Sequence, residues 1–132
     1  MFKVMVVDED VRQLREIADE IGVLYNLLIC GRGAKAAGLF QAFQPDALIL
    51  DPSAEGLDTQ GLIAQARNRP GLARTPVLLL AQFTTIRHIE KSLDWGADYV
   101  FSKPCPGDRI GRKLAECLEK ADRYRQSQLV EL

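Results

Sequence analysis

The chain has 132 residues, 47% of them hydrophobic and 27% charged, with a formal net charge of -1. This is enough chain for one domain with its own core, in the proportions of an ordinary soluble globular protein. A charge so near zero gives no electrostatic ground for nucleic acid or an anionic membrane as partner, and no apolar run approaches a membrane span.

Strand-like and helix-like segments alternate along the chain. Lys3-Val4-Met5-Val6-Val7 is a short apolar run that ends in Asp8-Glu9-Asp10. With the N-terminus opening directly on it, no signal peptide is expected. Val11, Leu14, Ile17, Ala18 and Ile21 then recur as one face of a helix, which Gly22 stops. A second apolar run, Leu27-Leu28-Ile29-Cys30, ends at Gly31-Arg32-Gly33, and a helix is predicted from about Ala34 to Phe43 with Ala36, Leu39, Phe40 and Phe43 inward. After Pro45 comes a third strand, Ala47-Leu48-Ile49-Leu50, closed by Asp51 and Pro52. A helix over roughly Thr59 to Asn68 follows, with Leu62, Ile63 and Ala66 inward, ended by Pro70-Gly71. The fourth strand covers Val77 to Ala81. Thr84 or Thr85 is the expected cap of a fourth helix that carries Ile86, Ile89, Leu93 and Trp95 inward, with Gly96 at its C-terminus. Tyr99-Val100-Phe101-Ser102 is the fifth strand. The last helix starts near Asp108, turns Ile110, Leu114, Cys117, Leu118, Ala121 and Tyr124 to one side, and reaches about residue 127 before a short tail.

Five β-α units make one domain over residues 1–132. Continuous rather than alternating apolar strands imply a parallel sheet covered on both faces. Right-handed crossovers then give a doubly wound open α/β sandwich, (βα)5. Sites in such sheets lie at the carboxyl ends of the strands. Asp8 and Glu9 end the first strand, Asp51 the third and Lys103 the fifth. Two like charges ~4 Å apart repel by about 4 kcal/mol at an effective dielectric near ~20. A hard divalent cation relieves that repulsion, and magnesium suits carboxylates, water and a phosphate oxygen together. Carboxylates, room for a metal and a lysine describe a phosphoryl-transfer site with the central carboxylate as nucleophile.

Taken in order, Val6-Val7-Asp8-Glu9-Asp10, Ala47-Leu48-Ile49-Leu50-Asp51, Gly56-Leu57-Asp58, Pro76-Val77, Gly96-Ala97-Asp98 and Ser102-Lys103-Pro104 resemble the receiver domains of two-component response regulators. The resemblance covers nearly the whole chain and implies a flavodoxin-like five-stranded sheet in the order 2-1-3-4-5. It implies that Asp51 accepts a phosphoryl group from a histidine kinase or phosphotransfer protein. It implies that Asp8, Glu9, Asp51 and the backbone carbonyl of Ser53 hold Mg2+, that Lys103 pairs with the phosphoryl group, and that the Lys103–Pro104 peptide bond is cis. The implied output is a change in the face made by the fourth helix, fifth strand and fifth helix. That face would meet a downstream protein, an output domain or a second copy of the chain.

The chain also departs from that pattern. A Ser or Thr usually ends the fourth strand, where Ala81 stands. A Tyr or Phe usually lies three residues before the lysine, where Val100 stands, with Tyr99 one place early. Glu55 replaces a proline, Thr59 a glycine, and Pro52 directly follows the acceptor. With both switch positions atypical, coupling of Asp51 to the output face is expected to be weakened, and Phe83 is a candidate shield of the site from water. The alternative is a pseudo-receiver, an interaction module working without phosphorylation. A flavin or nucleotide module on the same architecture is a third reading, but no GxGxxG follows the first strand and the acidic pair there repels phosphate.

Other residues read plainly. Asp10 is a helix-start charge, His88 a surface residue, Trp95 helix packing, and 123–128 a solvated helix end. Cys30, Cys105 and Cys117 are odd in number and lack a CxxC spacing, so reduced thiols in a cytoplasmic protein are expected. Cys117 reads as a core position and Cys105 as more exposed. The reading is of a signalling domain rather than a turnover enzyme, with no direct contact to nucleic acid or membrane.

Overall fold

The structure is a computed structural model that describes residues 1–82 and 86–130, residue 130 by its backbone only. The expected cap at Thr84 or Thr85 and the expected shield at Phe83 lie outside the described residues. In chain order the elements are β1 (Lys3–Val7), α1 (Val11–Ile21), β2 (Asn26–Cys30), a short 3-10 turn (Gly33–Lys35), α2 (Ala36–Phe43), β3 (Ala47–Leu50), α3 (Thr59–Arg67), β4 (Val77–Ala81), α4 (Ile86–Asp94), β5 (Tyr99–Ser102) and α5 (Gly107–Val130). The strands form one parallel sheet, as the apolar runs predict, in the order β2-β1-β3-β4-β5 that the resemblance implies.

Successive side chains of a strand point to opposite faces, so each strand feeds two cores. Met5, Val7, Leu48, Leu50, Val77 and Leu79 meet Phe40 of α2 and Leu62, Ile63 and Ala66 of α3 on one face. Val4, Val6, Ala47, Ile49, Leu78, Leu80 and Phe101 meet Ile17 and Ile21 of α1 and Ile110, Leu114 and Leu118 of α5 on the other. Burial on both faces is why these strands carry continuous apolar runs.

Two helices are rotated from the expected faces. On α1, Val11 is exposed and Gln13 is buried with Ile17 and Ile21. At 3.6 residues per turn Val11 lies about 120° from Ile17, whereas Gln13 lies only about 40° away. On α4, Ile86 and Leu93 are exposed and Ser92 is buried. Trp95 packs against the first core, and this orients α4 with Ser92 inward between Ile89 and Trp95. The second α unit opens with the 3-10 turn, and α5 continues to Val130, past the expected end near 127. Cys105 is buried against the second core, not exposed, while Cys117 is half-buried at that core's edge.

Candidate functional site

Register brings the acids together. Val7 of β1 pairs with Leu50 of β3, so the next residues, Asp8 and Asp51, leave the sheet side by side. Asp51 N–H donates to the Val7 carbonyl at 2.8 Å, and Asp8 N–H to that of Cys30 at 3.1 Å. On the far side Ala81 of β4 pairs with Ser102 of β5, and Lys103 N–H donates to the Ala81 carbonyl at 2.8 Å. The Lys103 side chain reaches back over β4, and its Nζ donates to Asp8 Oδ1 at 2.8 Å and to Asp51 Oδ2 at 2.7 Å. The Lys103–Pro104 peptide bond is cis.

This triad is almost dry, with side-chain exposures of 7% for Lys103, 1% for Asp8 and 8% for Asp51. Burial pushes the Asp8 carboxyl up from its ordinary value, and the hydrogen bonds from Lys103 and the Asp10 N–H only partly offset that push. Burial also opposes the Lys103 charge, but the hydrogen bonds to Asp51 and Asp8 and the charges behind them outweigh it, so the ammonium is held above the ordinary lysine value. Asp8 Oδ2 is buried without a hydrogen-bond partner. An unpaired buried carboxylate oxygen is costly unless something else claims it.

The loop after β3 shapes the rest. Ser53 donates to Asp51 Oδ1 twice, from N–H at 2.8 Å and from Oγ at 2.7 Å. Pro52 has no N–H to offer, so the acceptor oxygen is met one residue further on. The loop leans on the turn before α2, where a Cβ on Gly33 would stand 2.5 Å from the Glu55 carbonyl oxygen, and Gly56 takes a positive φ of 81° beside Ala34. Glu9 does not join the triad: its Oε1 accepts from Glu55 N–H at 2.8 Å, on the surface. Among the described residues no three His, Cys, Asp or Glu side chains gather as a metal cluster. Asp10 caps α1, accepting from Arg12 N–H at 3.0 Å and Gln13 N–H at 3.3 Å.

Two contacts at and beside the triad were not foreseen in the sequence. One is the Ser53 hydroxyl on Asp51. The other is Gln13, whose carboxamide donates to the Cys105 carbonyl and accepts from the Cys105 N–H, each at 2.9 Å. That clasp ties α1 to the segment just after Lys103. A signal existed, since Gln13, Ile17 and Ile21 form an i, i+4, i+8 row on α1, a polar residue in an apolar stripe.

No family model matches the chain. Solved structures do. A CheY-like receiver domain protein from Methanospirillum hungatei superposes with a TM-score of 0.79 at 18% identity, covering 93% of this chain and 98% of that one. The chemotaxis response regulator CheY4 of Vibrio cholerae gives 0.75 at 19% identity, covering 89% and 98%. The chain has the receiver-domain fold. A response regulator from Desulfuromonas acetoxidans agrees, at a TM-score of 0.73 and 21% identity over 90% of this chain and 98% of that one. Among curated proteins, the probable transcriptional regulator ycf27 of Cyanophora paradoxa is 22% identical over 121 residues, 91% of this chain. The chain spans about half the length of that relative, 49%.

Within the receiver fold, Ala81 is half-buried at the end of β4 and lines a cleft with Asp51, Pro52 and Ser53. Val100 turns toward the first core. Tyr99 lies on the opposite face of β5, where its ring meets Phe101 at 4.8 Å between centroids and Lys113 Nζ at 4.6 Å. Its one-residue offset from position 100 therefore puts it on the α5 side of the sheet, away from Val100. No helix among the described residues is long and apolar enough to cross a membrane.

Proposed function

We propose that the chain is a phosphoacceptor signalling domain of two-component type, with Asp51 as the acceptor. The observation that carries this reading is the Lys103 ammonium bridging Asp8 and Asp51 at adjoining strand ends. In the reaction a carboxylate oxygen of Asp51 attacks phosphorus and the bond from phosphorus to the donor breaks. With a phosphohistidine of a kinase or phosphotransfer protein, imidazole leaves and an acyl phosphate remains on Asp51. Lys103 balances the added negative charge, and the Ser53 N–H and hydroxyl hold the carboxylate in one rotamer. The chemistry is self-directed, so the domain is not a turnover enzyme.

Mg2+ fits the donor set. Magnesium takes one or two carboxylates and keeps several waters. Asp8 Oδ2 is a buried oxygen with no partner, and Asp51 and the Ser53 carbonyl would be further hard oxygen donors. Glu9, whose Oε1 accepts from the Glu55 N–H, would have to release that bond to join the set. When bound, the ion would neutralise charge on the transferring phosphoryl oxygens. The output is assigned to the α4-β5-α5 face, where Ile86, Leu93 and Tyr99 are exposed. Its partner there is a downstream protein, an output domain or a second copy of the chain, in a cytoplasmic setting.

The second reading, a pseudo-receiver, is favoured by Ala81, which offers no hydroxyl beside Asp51. Intact mass after treatment with Mg2+ and acetyl phosphate separates the two. The phosphoacceptor reading expects one phosphoryl adduct on the wild type and none on Asp51→Asn. Absence of an adduct on the wild type, with acetyl phosphate and with a cognate kinase, leaves the pseudo-receiver.

A further inference from the structure

Beside the triad a cleft of about 420 Å³ opens between the loop after β3, the end of β4 and the inner side of α4. Small residues form part of its wall, which Gln82 and His88 also line. Ala81 offers one methyl, and the Ser92 hydroxyl is turned back onto its own helix, donating to the His88 carbonyl at 2.8 Å. The remaining apolar wall comes from Pro52 and from the Trp95 ring. Lys91 supplies the cation, with Nζ 5.5 Å from the centre of that ring, and no carboxylate among the described residues pairs with it.

We propose that this cleft is a binding site for a small planar aromatic acid. Its volume falls in the lower part of the range of small-molecule pockets, about 300–1,000 Å³, which suits one or two fused rings rather than a nucleotide. A flat ring system stacks on Trp95 and fills the space over Pro52 and Ala81. The acidic group is directed to Lys91, because Asp51 on the loop side repels an anion and Lys91 is the lining cation that a carboxylate can reach without displacing another. A neutral aromatic of the same shape gains only the stacking and apolar contact. Binding does not depend on whether Asp51 accepts a phosphoryl group, so the site stands or falls apart from that reading.

Trp95 is the only tryptophan, so its indole N–H gives a single side-chain signal in a 1H–15N spectrum of the full chain. Titration with 2-naphthoate is expected to move that signal saturably, with one ligand per chain. Naphthalene contacts to the Ala81 methyl should appear as nuclear Overhauser effects. Lys91→Gln, an exposed change, and the neutral 2-naphthamide should each bind about tenfold more weakly, the factor that corresponds to a lost charge pair of about 1.4 kcal/mol. Ala81→Leu, which fills the cleft, should abolish the shift; if that variant does not fold, the contacts to Ala81 in the wild type carry the same information. An indole signal unmoved at millimolar 2-naphthoate, equal affinity in Lys91→Gln, or saturable binding without contact to Ala81 would each overturn the proposal.

Discussion

The carboxamide of Gln13 and the backbone of Cys105 hold each other through two buried hydrogen bonds of 2.9 Å, across 92 residues of sequence. Gln13→Leu preserves volume but leaves a buried N–H and a buried carbonyl without partners. An orphaned buried group costs about 1–3 kcal/mol, so the variant should lose about 2–4 kcal/mol in urea unfolding at unchanged m-value. A loss under about 0.5 kcal/mol would show that water replaces the clasp.

Asp8→Asn is expected to stabilise the fold at neutral pH, by on the order of 1 kcal/mol. Burial raises the native Asp8 pKa above the unfolded value of 3.8, so the native state takes up a proton more readily than the unfolded chain. Stability linked to Asp8 is then fully present below that value and lost as pH rises through the raised native pKa. The advantage of the Asn variant should therefore be greatest where native Asp8 is ionised and shrink as pH falls toward 3.8. Unfolding curves at several pH values measure this, and an advantage that grows on acidification contradicts it.

Removing the lysine should have the opposite sign. Lys103→Met leaves Asp8 and Asp51 adjacent, buried and uncompensated, and breaking such a pair costs about 3–5 kcal/mol. In the wild type the raised Lys103 pKa keeps its contribution whole below the ordinary value of 10.5, with loss only as pH rises through the higher native value. Thermal melts of wild type and variant should thus stay far apart from pH 6 to pH 9.

Gly33→Ala tests the brace under the loop after Asp51. The added methyl carbon would stand 2.5 Å from the Glu55 carbonyl oxygen and 2.8 Å from the Leu57 nitrogen, both backbone atoms that cannot step aside cheaply. A loss of about 1–3 kcal/mol is expected, with amide shifts concentrated in residues 52–58. Shifts confined to residues 31–36 would mean that the loop does not lean on Gly33.

If Asp51 is phosphorylated, Ala81→Thr should enlarge the response. A phosphoryl group can bias two states only through contacts that differ between them, and the variant supplies a hydroxyl at the end of β4. Amide shifts on α4 and β5 after phosphorylation should be larger in the variant than in the wild type. Equal, large shifts in both would show that coupling does not need that hydroxyl.

How far the molecule could be read beforehand varied with the physics. The three central strands were legible because a strand buried on both faces must be apolar at every position, as in Val4 to Val7 and Leu78 to Leu80. The edge strands β2 and β5 are only partly buried and were read from short apolar runs. Helix faces were less so. Val11 and Ile86 are apolar yet exposed, because an apolar residue at the margin of a stripe carries no mark of which way the helix will be turned. Cys105 looked like a loop residue after a proline, and only the Gln13 clasp and the packing of the second core make it interior. Burial there also raises its thiol pKa.

The sequence by itself determined the order of β and α units, the parallel sheet and the edge at which Asp8, Asp51 and Lys103 would emerge. All of these follow from local periodicity and from the handedness of crossovers. Tertiary structure decided what those side chains do on arrival. The Val7–Leu50 register set Asp8 beside Asp51, and the reach of Lys103 across β4 joined them. The Glu55 N–H drew Glu9 to the surface instead. Such choices depend on distances between segments tens of residues apart, which only the closed packing of the sheet and its helices sets.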